Sequence, residues 1–205
     1  MKARWTSTAR GWRAGVAVVL LGCVGPALGD LDYRDYGGNA SGGGSHSENL
    51  FTTGWFTANT SCGTGVQQLA VSWVYGGRML YSTSAQQVTV RINMNVSSGY
   101  AKWSSWSYAG QAALWGKLCG RVQEWNGSTW VKVRESWTTF VEKPWWQPVG
   151  YTELNGSPKA SRSFTITLKA NTWYAFDGKV ELRSGTQGIA LSEIKISSGT
   201  LNVSW

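Results

Sequence analysis

The sequence has one histidine and three cysteines in 205 residues, and this scarcity argues against several kinds of site. His46 lies in a Gly- and Ser-rich stretch, where nothing would position its ring for a Ser–His–Asp triad or a histidine metal site. There is no Cys-x-x-Cys pair for zinc and no Asp-x-Asp-x-Asp-Gly loop for calcium. The sequence therefore predicts neither a metal nor a cofactor.

Long apolar runs and clusters of basic residues are also missing. The longest apolar run, residues 14–21, is shorter than the roughly 20 residues that a membrane-spanning helix requires. Lysines and arginines are scattered singly, which argues against nucleic acid as a partner. We therefore predict no membrane span and no nucleic-acid binding.

The first 29 residues have the layout of a signal peptide. A basic stretch precedes the apolar run, and Ala27-Leu28-Gly29 suits cleavage by signal peptidase. Four of the nineteen basic residues lie in this segment, so fifteen remain against eleven acidic residues and the net charge falls from +8 to +4. The predicted location is secreted or at the cell surface. In an alternative interpretation, Leu20-Leu21-Gly22-Cys23 is a lipobox and Cys23 carries a lipid anchor.

Two cysteines remain once Cys23 has been removed or acylated. In an oxidising compartment, Cys62 and Cys119 are expected to form a disulfide. The alternative is a pair of buried thiols.

Asparagine is concentrated in Asn-x-Ser/Thr sequons. Six of the nine asparagines occur in one, and one of these six sequons, that of Asn155, is weakened by Pro158 just after its serine. We predict N-glycosylation at Asn39, Asn59, Asn95, Asn126 and Asn202.

The chain divides into a short polar segment and one domain. Residues 30–48 are rich in Gly and Ser and are expected to form an arm or linker. Residues 49–205 show alternating apolar and polar positions that predict strands, as in residues 87–97, 163–168 and 174–183, with no helical pattern. We predict an all-β domain, a two-sheet antiparallel β-sandwich of about eight to ten strands, immunoglobulin-like or jelly-roll, with a closed barrel as the alternative.

A hairpin around Asn126-Gly127 is the most informative local unit, because this dipeptide favours a tight turn. Alternation predicts a core side and a mixed side. The core side is expected to contain Leu118, Val122, Val131, Val133 and Trp137. The mixed side is expected to contain Lys117, Arg121, Gln123, Trp125, Trp130, Lys132 and Arg134.

Tryptophan is abundant, with 14 residues in the chain. Strand parity predicts that Trp73, Trp137 and Trp205 point inward as core, together with Leu69, Val71 and Tyr75, and that Trp173 points outward. Two indole pairs are candidates for a binding platform: Trp125 with Trp130, and Trp145 with Trp146. An exposed indole suits stacking on a sugar ring or burial against another subunit.

Three functions are compatible with this pattern. The leading hypothesis is a non-catalytic, glycosylated cell-surface protein, such as a filament or surface-layer subunit, that self-associates by adding residues 31–36 to a neighbour's sheet or contacts surface glycans. The second is a carbohydrate-binding module. The third is a small secreted glycosidase using paired carboxylates, with Glu124 and Glu135, expected on one side of the hairpin, and Glu142 as candidates.

Overall fold

The computed structural model describes residues 31–143 and 149–205, apart from the side chains of residues 106–109. This part of the chain is all-β, as predicted, and contains no helix long and apolar enough to cross a membrane. Its nine strands are β1 (Tyr33–Ser41), β2 (Ser45–Leu50), β3 (Trp55–Cys62), β4 (Gly65–Ser82), β5 (Gln86–Trp125), β6 (Trp130–Lys143), β7 (Val149–Glu153), β8 (Gly156–Leu168) and β9 (Thr172–Ser204).

The strands form one antiparallel sheet built on two long central strands. β5 and β9 pair along most of their length, from Arg91 opposite Ser204 to Glu124 opposite Tyr174. The other edge of β9 pairs with β4 along one part of its length and with β3 along another. β4 pairs in turn with β1, and β3 pairs with β2. The other edge of β5 pairs with β8, β7 and β6.

The sheet folds over so that its two halves face each other. We call the part containing β1, β4, β6, β5 after Gly110 and β9 before Gly188 the first half, and the remainder the second half. The contact is close at Gly178 of the first half, where an added Cβ would lie 2.7 Å from a methyl of Leu201 and 2.8 Å from one of Ile92. The two separate sheets of the predicted sandwich are not observed, because β5 and β9 continue from one half into the other.

The core lies between the two halves. The alternation predicted for the central segments is confirmed, because the apolar side chains expected inward pack in a single cluster. The buried members of these segments are Val90, Ile92, Met94, Val96, Phe164, Ile166, Leu168, Tyr174, Phe176, Val180 and Leu182.

The orientation predicted for β4 is wrong. The buried positions are the alternate set, Ala70, Ser72, Val74 and Gly76, so that Leu69, Val71, Trp73 and Tyr75 lie on the outer face. These small inner residues leave space that leucines fill: an added Cβ at Gly76 would lie 2.6 Å from Leu31 and 3.2 Å from Leu50. Both faces of β4 carry apolar residues, so alternation alone could not distinguish them.

The segment expected to be an arm or linker forms two strands of the sheet, each paired with a different neighbour. β1 pairs with β4 and β2 pairs with β3, with Gly42 and Gly43 at positive φ in the turn between them. The glycines permit close packing: an added Cβ at Gly37 would lie 3.0 Å from the Trp73 indole. Residues 33–50 therefore gain stability from backbone pairing and contact with large side chains, although they contain few apolar residues.

The predicted disulfide is wrong, because Cys62 and Cys119 are free and buried. Cys62 points inward in the second half, where its thiol donates to the Ser184 carbonyl at 3.4 Å. Cys119 lies beside Lys179 in the register, on the outer side of the first half. Burial raises the pKa of Cys62 to about 11 and that of Cys119 to about 12, so both remain protonated thiols at neutral pH.

Candidate binding groove

A groove of about 530 Å³ opens on the outer face of the first half. Its volume is within the range of small-ligand sites. It is lined by Tyr33, Tyr75, Met79, Gln123, Trp125, Trp130 and Ala175. Aromatic side chains provide most of the wall, and Gln123 provides the one side-chain amide.

Strand register explains why these residues meet. Met79 on β4 and Gln123 on β5 are both paired with Ala175 on β9, so the three side chains form one row across the sheet. Ala175 is small and lies in the centre of this row, which leaves a depression. Larger side chains border it: Tyr75 lies on one side along β4, and Trp125 on the other along β5.

The predicted hairpin carries the tryptophan wall. Trp125 and Trp130 are opposite each other in the β5–β6 register, with ring centroids 5.5 Å apart at an interplanar angle of 60°. The Asn126 amide oxygen accepts from the backbone N–H groups of Ser128 and Thr129 at 3.0 and 2.9 Å, and Gly127 has φ 97°. The Asn-Gly turn therefore positions the two indoles on one face, as the sequence predicted.

Two groups of tryptophans on the outer face differ in their contacts with cations. Trp115 has Lys117 and Arg183 over its ring at 4.6 and 4.7 Å, and Lys179 lies over Trp73 and Trp137 at 5.6 and 6.0 Å. Over the described residues, no cation lies on either indole of the hairpin pair. Ring-on-cation packing therefore explains the first group, whereas the hairpin pair has faces available for a ligand.

A buried carboxylate holds the tyrosine wall. Tyr33 and Tyr75 each donate a hydrogen bond to Asp177 at 3.0 Å. The Arg121 Nε also donates to Asp177, at 3.0 Å, and its terminal nitrogen donates to the Tyr75 hydroxyl. Burial raises the pKa of Asp177, and the hydrogen bonds and charge of Arg121 oppose that rise. Burial, followed by the charge of Asp177, raises the pKa of Tyr75 to about 12.

The inward orientation predicted for Trp137 is wrong, because the side chain is 40% exposed on the outer face. The β5–β6 register shifts between Val122 and Gln123, so that Val133 of β6 has no partner on β5. Beyond this bulge, the side chains of β6 point to the opposite face from the one that simple alternation predicts. The same shift separates Glu124 from Glu135, which pairs with Arg121 on the outer face.

The other tryptophans can be placed individually. Trp205 packs against the core beside Phe176, as predicted, with ring centroids 5.1 Å apart. Trp173 is outward, as predicted. The candidate pair Trp145 and Trp146 lies outside the described residues.

The candidate catalytic glutamates do not converge. Glu124 accepts from Tyr174 at 3.0 Å and from Lys169 at 2.7 Å, and Glu135 pairs with Lys132. Glu142 is exposed, seven residues along β6 from Glu135, which corresponds to roughly 20 Å in a strand. A glycosidase pair requires carboxylates about 5 to 10 Å apart, so these three do not form one.

The sequon asparagines differ in exposure. Asn39 and Asn126 are exposed, whereas Asn95 and Asn202 are half-buried and donate to Thr200 at 3.3 and 3.4 Å. Asn59 is also half-buried, and its amide oxygen has no hydrogen-bond partner. Glycosylation of these residues remains a prediction.

Several groove residues were not predicted as a site from the sequence. Tyr75 was expected in the core, and Tyr33 was expected in the arm. The outward parity of Asp177 on β9 was predicted, but its burial beneath two tyrosines depends on pairing with β4 and β1. Within residues 31–143 and 149–205, no three His, Cys, Asp or Glu side chains are grouped as metal ligands.

A scan against models of protein families finds none that matches this chain, and a search of curated proteins finds no match. The function of the groove must therefore be argued from its geometry and chemistry.

Proposed function

We propose that this protein binds carbohydrate in the groove and has no catalytic role there. The observation that carries the proposal is the Trp125–Trp130 pair, which borders the groove with faces that no cation covers. A pyranose ring has an apolar C–H face and hydroxyls around its edge. An indole packs against the first, and hydrogen-bonding groups beside it recognise the second.

The polar groups of the groove suit hydroxyl-rich ligands. The Gln123 amide can both donate and accept, as a sugar hydroxyl does. The Tyr33 and Tyr75 hydroxyls donate to Asp177, which holds the two rings in place as the groove wall. Side chains that are already fixed lose less entropy when a ligand binds.

The setting that we propose is secretion or display at the cell surface, with glycans at the sequons. The signal-like segment and the exposed Asn39 and Asn126 support it. Self-association through residues 31–36 stays a prediction: these residues lie at and beside β1, which pairs with β4 of the same chain and stands at the end of the strand order. The separation of Glu124, Glu135 and Glu142 removes the motivation for a glycosidase that uses them.

A glycan array followed by calorimetry tests the proposal. We expect the unchanged protein to bind one or more glycans, and the double variant Trp125→Ala, Trp130→Ala to bind at least about tenfold more weakly, a loss of about 1.4 kcal/mol. Tyr151→Ala is the matched control, because Tyr151 is 61% exposed in the second half, stacked on Tyr100 away from the groove. Failure of the unchanged protein to bind any glycan would overturn the proposal, as would full affinity in the double variant.

A further inference from the structure

The aromatic wall of the groove continues across the sheet beyond the groove itself. Tyr81 on β4 pairs with Trp173 on β9, and their ring centroids are 5.1 Å apart. Glu124 of β5 pairs with Tyr174 of β9. The next residue along β5, Trp125, therefore lies beside Trp173, the residue before Tyr174 on β9. On its other side, Trp125 pairs with Trp130 of β6. We call these four side chains the aromatic row; all four lie on the outer face of the first half.

The aromatic row is accessible and long. Tyr81 is 41% exposed and Trp173 is 46% exposed. Four adjacent strands at a spacing of about 4.8 Å give the row a length of about 14 Å. The row of Met79, Ala175 and Gln123 lies two residues away along each strand, so the groove follows the aromatic row.

Both ends of the aromatic row lie at sheet edges. In the described part of the chain, the pairing of β1 with β4 begins at Tyr33 opposite Gly77 and does not reach Tyr81. At the other end, β6 pairs with β5 alone within the same ranges. A ligand lying along the row therefore has room to continue past either end.

The charges beside the groove and the aromatic row oppose an anionic ligand. Three cations near the groove have carboxylate partners: Arg121 with Asp177 at 3.0 Å, Lys169 with Glu124 at 2.7 Å, and Lys132 with Glu135 at 3.2 Å. A further carboxylate, that of Asp32, accepts from the backbone N–H of Met79 at the groove wall. Because these three cations are neutralised by their partners, they offer little charge to attract a uronate or sulfate.

We infer that the ligand is a neutral, extended polysaccharide bound along the aromatic row, with Tyr81 and Trp173 stacking on sugar units beyond those held by Trp125 and Trp130. This inference rests on the proposed function and extends it. A short oligosaccharide occupies the groove and the Trp125–Trp130 pair, whereas a longer one also reaches the second pair. Affinity therefore rises with chain length.

Calorimetry with cello-, xylo- and manno-oligosaccharides, each as a disaccharide and a hexasaccharide, tests the inference. In the sugar series that binds, the double variant Tyr81→Ala, Trp173→Ala is expected to bind the hexasaccharide about tenfold more weakly than the unchanged protein does, a loss of about 1.4 kcal/mol. Its affinity for the disaccharide should not change. Trp137→Ala, on the same face but outside the aromatic row, should bind both sugars normally. Should the double variant fail to fold, Trp173→Leu removes the flat ring with less loss of volume and is expected to weaken hexasaccharide binding selectively.

Three outcomes would overturn the inference. Equal affinity of the unchanged protein for disaccharide and hexasaccharide would contradict an extended ligand while leaving carbohydrate binding intact. Tighter binding of oligogalacturonate than of any neutral sugar would contradict a neutral ligand, and it would also leave carbohydrate binding intact. Absence of binding to every sugar would overturn the proposed function and the inference together.

Discussion

Asp177 accepts a hydrogen bond from the Tyr75 hydroxyl at 3.0 Å, and this contact ties the wall of the groove to a carboxylate that is 1% exposed. The bond joins β4 to β9. The same carboxylate accepts from Tyr33 of β1 and from Arg121 of β5, so four strands meet at one buried charge. Stability and the shape of the groove are therefore coupled at this residue.

Replacing this carboxylate should affect both properties. Asp177→Asn keeps an acceptor oxygen but leaves Arg121 without its counter-charge. We expect the free energy of unfolding to fall by about 1 to 3 kcal/mol, measured by chemical denaturation, and glycan affinity to fall with it. Glu135→Gln, at an exposed ion pair with Lys132, should change stability by less than about 1 kcal/mol. Equal stability of the two variants would contradict the coupling.

Alkaline pH should weaken the protein through the tyrosines of the groove. Because burial raises the pKa of Tyr33 and raises that of Tyr75 to about 12, the folded protein retains protons that the unfolded chain releases near the ordinary tyrosine pKa of 10.0. This stabilisation is fully present below the unfolded pKa and is lost as pH rises through the folded pKa.

Denaturant titrations at increasing pH measure this loss. The free energy of unfolding should decline above pH 10, and the decline should be shallower in Tyr33→Phe, Tyr75→Phe, which lacks both titrating hydroxyls. Tyr36→Phe, at an exposed site on β1, should retain the full slope. The same slope in all three proteins would be evidence against the raised tyrosine pKa values.

The two cysteines should behave as inert core residues. Their raised pKa values, about 11 for Cys62 and about 12 for Cys119, keep the reactive thiolate rare, and burial blocks access to reagents. We expect a thiol reagent to modify neither in the native protein and both after unfolding. A reductant should leave the melting temperature unchanged. Mass spectrometry that detected a Cys62–Cys119 bond in the folded protein would contradict this assignment.

The close approach of the two halves predicts a strict requirement at Gly178. Because an added methyl would lie within 2.8 Å of Leu201 and Ile92, Gly178→Ala should lower the free energy of unfolding by about 1 to 3 kcal/mol. Gly63→Ala is the control, since nothing lies within 4 Å of its added Cβ. Thermal or chemical unfolding of both variants tests this, and a fully stable Gly178→Ala would mean that the halves separate easily.

The parts of the fold that could be predicted from sequence have one apolar and one polar face. The segment 87–97 and the β9 positions from Tyr174 to Leu182 follow this rule, and their orientation was predicted correctly. β4 has apolar residues on both faces, so its orientation depends on which neighbours fill the space beside Gly76. In the hairpin, the shared face of Trp125 and Trp130 was predicted correctly. Val131 and Val133, expected in the core, are instead 45% and 47% exposed, and the extra residue at the bulge beside Gln123 reversed Glu135 and Trp137.

The binding groove was predictable only in part. Trp125 and Trp130 could be assigned to one face because the Asn-Gly turn and strand alternation are local properties. Tyr33 and Met79 reach the groove through pairings between distant segments, as when Tyr33 joins Gly77. The continuity of the sheet could not be predicted either, because the sequences of β5 and β9 do not indicate where one half ends and the other begins.

The long pairing of β5 with β9 also determines how the protein acquires its structure. Its pairs join residues from 50 apart, as in Glu124 with Tyr174, to 113 apart, as in Arg91 with Ser204. Contacts so distant in sequence must close large loops before they contribute energy, which slows folding relative to proteins with local contacts. Because both strands run through both halves, neither half can detach alone. Amide hydrogen exchange at the centre of β9 should therefore report opening of the whole molecule.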